Sequence, residues 1–164
     1  MRFYRSYSLC ITLAIVLLMA AYPSFAQERS EDRDKPTPVT ANEITDDLDG
    51  GDDEYFYVFT VGPGTLKITF DVDASGSNAG ATFDFFDTRS KSVLSNVLVQ
   101  GVDKGSERVI KSLKSAKRRD IVMRVKGIKY GSSGGNGTYK VRLEGPLILQ
   151  QAETPAPGPG QVIQ

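Results

Sequence analysis

The sequence contains no histidine and no tryptophan, and it has one cysteine, Cys10. Without histidine the usual nucleophile triad cannot be assembled. Cys10 sits near the start of an apolar stretch, Leu9 to Ala21, which is shorter than the roughly 20 residues that span a bilayer. Arg2 and Arg5 precede that stretch, and the small residues of Ser24-Phe25-Ala26 follow it. This is the pattern of a secretory signal peptide over residues 1–26, removed after Ala26 and taking Cys10 with it. The exported chain is then expected to hold no disulfide, no thiol nucleophile and no membrane span. Its location is expected to be secreted or periplasmic. No segment carries a capped helical repeat, and no internal repeat is present.

Charge is balanced in total, with 20 basic and 20 acidic residues. It is uneven along the chain. Residues 27–54 hold 11 acidic and 3 basic side chains, whereas residues 104–129 hold 10 basic and 2 acidic ones. Such a chain can attract partners of either sign, or a second copy of itself.

QERSEDRDKPTPVTA, residues 27–41, has two prolines and no large apolar residue except Val39. It reads as a flexible acidic linker, because it buries too little to offset the entropy of ordering. ETPAPGPGQVIQ ends the chain, and residues 151–164 read as an extended Pro/Gly-rich tail. One folded domain is expected over residues 42–150, large enough to bury a core.

Within that domain the apolar period is two. Tyr57, Phe59 and Val61 share a face, as do Leu66, Ile68, Phe70 and Val72, with Lys67, Thr69, Asp71 and Asp73 opposite. Phe83 with Phe85, Ile121 with Met123, and Tyr139 with Val141 and Leu143 repeat the pattern. Val93 to Gln100 and Arg108 to Leu113 are weaker strands. Alternation of this kind marks strands with one buried face, as in antiparallel sheets. Gly62-Pro63-Gly64 fits a short hairpin connection. The fold class is all-β, a two-layer antiparallel β-sandwich or a barrel.

DDEYFYVFTVGPGTLKITFDVDASGSNAGATFDFFD, followed by a late GTYKVRLEG, resembles the bacterial pre-peptidase C-terminal (PPC) domain. Phe56, Tyr57, Phe59 and Val61 match that family's aromatic first strand. Phe83, Phe85 and Asp87 match its acid-aromatic strand, and Gly137, Thr138, Tyr139 and Val141 its last. Tyr55 departs from it, standing where the family has an acid before its aromatic pair. The resemblance implies a secreted β-sandwich of jelly-roll type, related to collagen-binding modules of collagenases and often found beside proteases. No catalytic domain is expected beside it.

Three chemistries can be weighed. Asp71 with Asp73, or Asp84 with Asp87, could serve as paired carboxylates of a hydrolase. A solvated strand face is the simpler reading of the first pair, so the chain is read as not an enzyme. Calcium is the better proposal, since it takes six to eight oxygens supplied flexibly. The candidate ligands are Asp46, Asp47, Asp49, Asp52, Asp53 and Glu54, with Asp71 or Asp73 closing the site. DVDASG matches the first half of an EF-hand loop, but the twelfth position is Thr82 instead of Glu. The alternative is a solvated acidic rim. The basic segment offers Lys111, Lys114, Lys117, Arg118 and Arg119 as a patch for an acidic polysaccharide or an extracellular protein, against the plainer reading of solvated strand faces and a turn. Nucleic acid is not expected, because the basic residues are not interleaved with aromatics. The function expected is a non-catalytic binding or accessory module. The alternative is a cell-envelope or matrix component that self-associates through its acidic arm and basic face.

Overall fold

The computed structural model describes residues 29–49, 54–74, 78–102, 105–128 and 135–149. They form ten strands: β1 (Thr37–Pro38), β2 (Glu43–Asp49), β3 (Glu54–Val61), β4 (Gly64–Ala74), β5 (Asn78–Asp87), β6 (Ser92–Val102), β7 (Ser106–Ser115), β8 (Arg119–Gly127), β9 (Asn136–Glu144) and β10 (Leu147–Ile148). The first sheet runs β1-β3-β8-β5-β6, with β10 also on β3, and the second runs β2-β9-β4-β7. Every pairing is antiparallel except that of β1 with β3. No helix among the described residues is long and apolar enough to cross a membrane.

The two-residue period built this core. All fourteen residues placed on inward faces by the alternation, from Tyr57 and Phe59 through Met123 to Leu143, are buried, none more than 1% exposed. Phe70 of the second sheet packs on Phe83 of the first, tilted, at 4.7 Å between ring centres and meets Phe85 edge-on at 5.9 Å. Phe83 in turn meets Tyr139 at 6.1 Å. Aromatic rings supply large buried area and prefer tilted or edge-to-face contact. They therefore tie the two layers together at the centre. The weaker candidates became full strands, β6 and β7.

Three expectations are corrected. First, Gly62-Pro63-Gly64 is not a hairpin turn. It carries the chain from β3 in one sheet to β4 in the other. Both strands bury a continuous apolar face, and two such faces are covered by packing against each other across the sandwich. Gly64 has φ +133°, open to glycine without strain, and the Gly62 N–H donates to the Pro146 carbonyl at 2.7 Å.

Second, residues 27–41 are not a flexible linker over the part described. The backbone of Ser30 bridges Phe56, Thr37–Pro38 pairs with Tyr57–Val58, and Val39 is buried at 1% exposure. Val39, set aside as a lone apolar residue, is a core side chain. The Val39 N–H also donates to the Val58 carbonyl at 2.8 Å.

Third, the acidic run begins as a strand. In β2, Ile44 and Leu48 point inward and are buried, but Asp46 holds the inward position between them. That aspartate breaks the apolar alternation and hides the strand from a reading based on period. The expected signal segment 1–26 and tail 151–164 lie outside the described residues.

Candidate functional site

The proposed calcium ligands are divided among three places. Asp46 faces the sandwich interior, where its Oδ2 accepts from the Tyr57 hydroxyl at 3.3 Å and its Oδ1 pairs with Arg29 at 3.4 Å. Glu54 lies on the first sheet and pairs with Lys126 at 2.9 Å and Arg124 at 3.6 Å. Asp47, Asp71 and Asp73 lie on the outer face of the second sheet. Asp47 on β2 and Asp73 on β4 are both in register with Thr138 of the strand between them. Asp71 pairs with Arg108 at 2.5 Å. Asp49 ends β2. Asp52 and Asp53 lie outside the described residues. Among the described residues no group of three or more acids, cysteines or histidines is placed to hold a metal ion.

Asp46 belongs instead to a polar chain that crosses the core. The hydroxyls of Tyr57 on β3 and Tyr139 on β9 are 2.6 Å apart. Since Tyr57 gives its proton to Asp46, Tyr139 must be the donor to Tyr57. Burial, above all, pushes the pKa of both phenols far above the ordinary tyrosine range. Arg29 covers the open end, with its guanidinium 4.4 Å from the centre of the Tyr55 ring.

Asp84 and Asp87, the second nominated pair of catalytic acids, are occupied as well. Asp84 accepts from Arg124 at 2.7 Å and from the Asn96 N–H at 2.9 Å. It thereby fastens a bulge in β6, where Asn96 has φ +55°. Asp87 accepts from the N–H groups of Arg89 and Lys91, each at 2.9 Å, and these bonds hold its carboxyl below the usual carboxylate range.

The basic patch also divides, and one part gains a member. Lys111 and Lys114 are exposed on β7, at the edge of the second sheet. Lys117, Arg118 and Arg119 occupy the turn from β7 to β8 and the start of β8. There they meet the β5–β6 turn, and the two turns enclose a basin of about 320 Å³ lined by Asp87, Thr88, Arg89, Lys117, Arg118, Arg119 and Asp120. Arg89 stands 28 residues before Lys117, so no reading of a single charge run could include it. The pairing of β5 with β8, which sets Asp87 opposite Ile121, brings the two turns together.

The basin is held from beneath. Asp87 shapes one turn through its two backbone bonds. The Ser115 hydroxyl donates to the Lys117 carbonyl at 2.6 Å and shapes the other. Asp120 accepts from the Thr60 hydroxyl at 2.5 Å. Both lining carboxylates are thus engaged in structure, while Lys117 and Arg118 form no ion pair among the described residues. Arg119 donates through Nη2 to the Lys114 carbonyl at 3.1 Å, and its buried Nε has no partner among the described residues. A buried donor without a partner is uncommon and costs stability.

A second depression, about 380 Å³, lies on the outer face of the second sheet, over Thr45, Asp71, Asp73, Ser106, Arg108, Thr138, Lys140 and Arg142. Its charges largely neutralise one another. Arg108 pairs with Asp71, while Lys140 and Arg142 pair with Glu43 at 3.2 and 2.7 Å.

The fold and these sites define a two-layer β-sandwich with a cationic basin at one end and a charge-paired outer sheet. No protein-family model and no curated protein matches the chain. Among solved structures it is similar to the pre-peptidase C-terminal domain of collagenase from Bacillus anthracis. That match has 22% identity over 62% of this chain and 87% of that one, with a TM-score of 0.40. It is also similar to a family 35 carbohydrate binding module from an environmental isolate, at 10% identity over 79% of this chain and 96% of that one, with a TM-score of 0.44. An isomalto-dextranase of Arthrobacter globiformis T6, complexed with panose, matches at 16% identity over 57% of this chain, with a TM-score of 0.37. The matched region spans 17% of that enzyme's length.

Proposed function

We propose that the chain is a non-catalytic binding or accessory module of an exported protein, and that its ligand is an acidic extracellular polymer or an acidic face of an extracellular protein. The observation that carries this reading is the basin where Arg89 meets Lys117, Arg118 and Arg119. Four cationic side chains converge there, and the two carboxylates beside them are taken by Thr60 and by backbone N–H groups. Guanidinium groups suit carboxylate and sulfate because their forked donors match paired oxygens. The signal-peptide pattern of residues 1–26 supports a location outside the cytoplasm. The jelly-roll form belongs to the same proposal. It is supported by the strand order, in which β2-β9-β4-β7 faces β3-β8-β5-β6 and the chain passes repeatedly from one sheet to the other.

The test is titration of the mature chain with dextran sulfate and with polygalacturonate at low salt. Binding is expected with both, falling steeply as salt rises because exposed charges are screened. The Lys117→Glu/Arg118→Glu variant is expected to bind at least about tenfold more weakly, since reversing two contact charges costs upwards of about 1.4 kcal/mol. Equal binding by the variant would remove the basin from the account.

A bound calcium ion is a separate proposal. It narrows to the outer face of the second sheet, and what supports it is the register that sets Asp47 and Asp73 on either side of Thr138, close in sequence to Asp49, Asp52 and Asp53. Extracellular modules bind calcium with dissociation constants of about 0.1–1 mM. Calcium at about 1 mM is then expected to raise the melting temperature by several degrees, and magnesium by less. Asp52→Asn/Asp53→Asn is expected to abolish that difference. An unchanged melting temperature at matched ionic strength would leave the acidic run a solvated rim.

A further inference from the structure

The second sheet ends in two strands of opposite charge. Its first edge, β2, carries four carboxylates, Glu43, Asp46, Asp47 and Asp49, and no basic residue. Its other edge, β7, carries Arg108, Lys111 and Lys114 against one carboxylate, Glu107. An unpaired edge is a template for strand addition. Because neighbours in β2-β9-β4-β7 are all antiparallel, β2 and β7 run in opposite directions. A second copy set beside the first by translation would lay its β7 antiparallel to β2 and continue the sheet. Pairing β2 with β2 would oppose acid to acid, and pairing β7 with β7 would oppose base to base. The contact that the charges allow is the unlike one, which does not close on itself and would propagate.

One device stands in the way. β2 has a strand neighbour on one side, β9. The Asp47 N–H donates to Asp46 Oδ1 at 2.9 Å, and the Asp47 carbonyl accepts from Arg29 Nη1 at 2.9 Å. Both backbone groups of Asp47 are therefore taken by side chains and are not offered to an incoming strand. Arg29 is held in place by its pairing with Asp46 and by the Tyr55 ring, and the Ser30 carbonyl, next in sequence, accepts from the Phe56 N–H at 2.8 Å.

We infer that Arg29 is an edge guard, closing the acidic edge β2 against the basic edge β7 of a second copy of this chain. The stretch of β7 that such a contact would use is Val109 to Leu113, with Lys111 at its centre. Beyond it, Arg119 takes the Lys114 carbonyl, and Glu107 is turned to the Gln100 N–H at 2.5 Å.

The test is sedimentation equilibrium of the mature chain from Gln27 at low ionic strength, over a wide range of concentration. The wild type is expected to remain monomeric. Arg29→Ala is expected to gain mass with concentration, and to lose that gain in added salt. Adding Lys111→Glu and Lys114→Glu to Arg29→Ala is expected to raise the dissociation constant at least about tenfold, since it sets acid against acid. A monomeric Arg29→Ala chain would overturn the guard. Association that ignores the charge reversal would overturn β7 as the partner edge. If Arg29→Ala fails to fold, Arg29→Met is read in the same way, because it keeps a long side chain beside the Tyr55 ring and has no donor for Asp46 or the Asp47 carbonyl.

Discussion

Phe59 and Phe85 lie within the first sheet and meet edge to face, with ring centres 6.4 Å apart and no exposed surface. Each replacement by alanine removes a full ring from a site with little room to collapse. A loss of about 3–5 kcal/mol is expected for either, measured by urea unfolding. A loss below about 1 kcal/mol at both would mean that the inward faces are misassigned. Tyr57 and Tyr139 make a different prediction, through protons. Their folded-state pKa values are raised, so the folded chain keeps both protons at a pH where the unfolded chain gives them up. Their contribution to stability is therefore constant below the ordinary tyrosine value of about 10 and falls as pH rises above it. Ultraviolet titration of the native chain should show these two phenols silent until unfolding begins. Early ionisation of both would contradict the buried chain from Tyr139 through Tyr57 to Asp46.

At the scale of the element, the strand-forming segments with unbroken alternation were legible, and their inward residues followed from parity alone. The partner of each strand was not legible. Period states which face is buried and not which strand lies beside it, so β3 and β4 looked like a hairpin although they sit in different sheets. β2 was hidden for a local reason, because Asp46 occupies an inward position and is satisfied there by Tyr57 and Arg29. The glycine of the GTY motif gains a physical reason only in the structure. A side chain at Gly137 would strike the Asp73 carbonyl of β4 and Ala79 of β5. β1 was missed because it is only two residues long, and Val39, which follows it, is the one large apolar side chain in the segment. A chain starting at Asn42, the boundary that composition suggests, would lose that side chain from the core. It is expected to be less stable than the mature chain by at least about 1.5–3 kcal/mol, the value of a buried valine. Equal melting temperatures for the two would return residues 29–41 to the role of a linker.

At the scale of the molecule, charge is sorted by position. The outer sheet pairs its charges internally, through Glu43 with Lys140 and Arg142, Asp71 with Arg108, and Lys67 with Glu144. Cations with no such partner collect at the end of the sandwich, at the meeting of two turns that lie far apart in sequence. Of the five basic residues proposed from the charge run, three reach that basin, while Lys111 and Lys114 remain along the edge of β7. Surface pairs in high dielectric contribute little to stability. The separation is therefore better understood as setting where an acidic ligand can bind than as holding the fold. The most direct measurement is amide chemical-shift mapping of the mature chain during titration with a short dextran sulfate. The perturbed amides are expected to cluster at Thr88 to Lys91 and at Ala116 to Asp120. Perturbations centred on the outer face of β2-β9-β4-β7, or none at all at low salt, would contradict a ligand site in the basin.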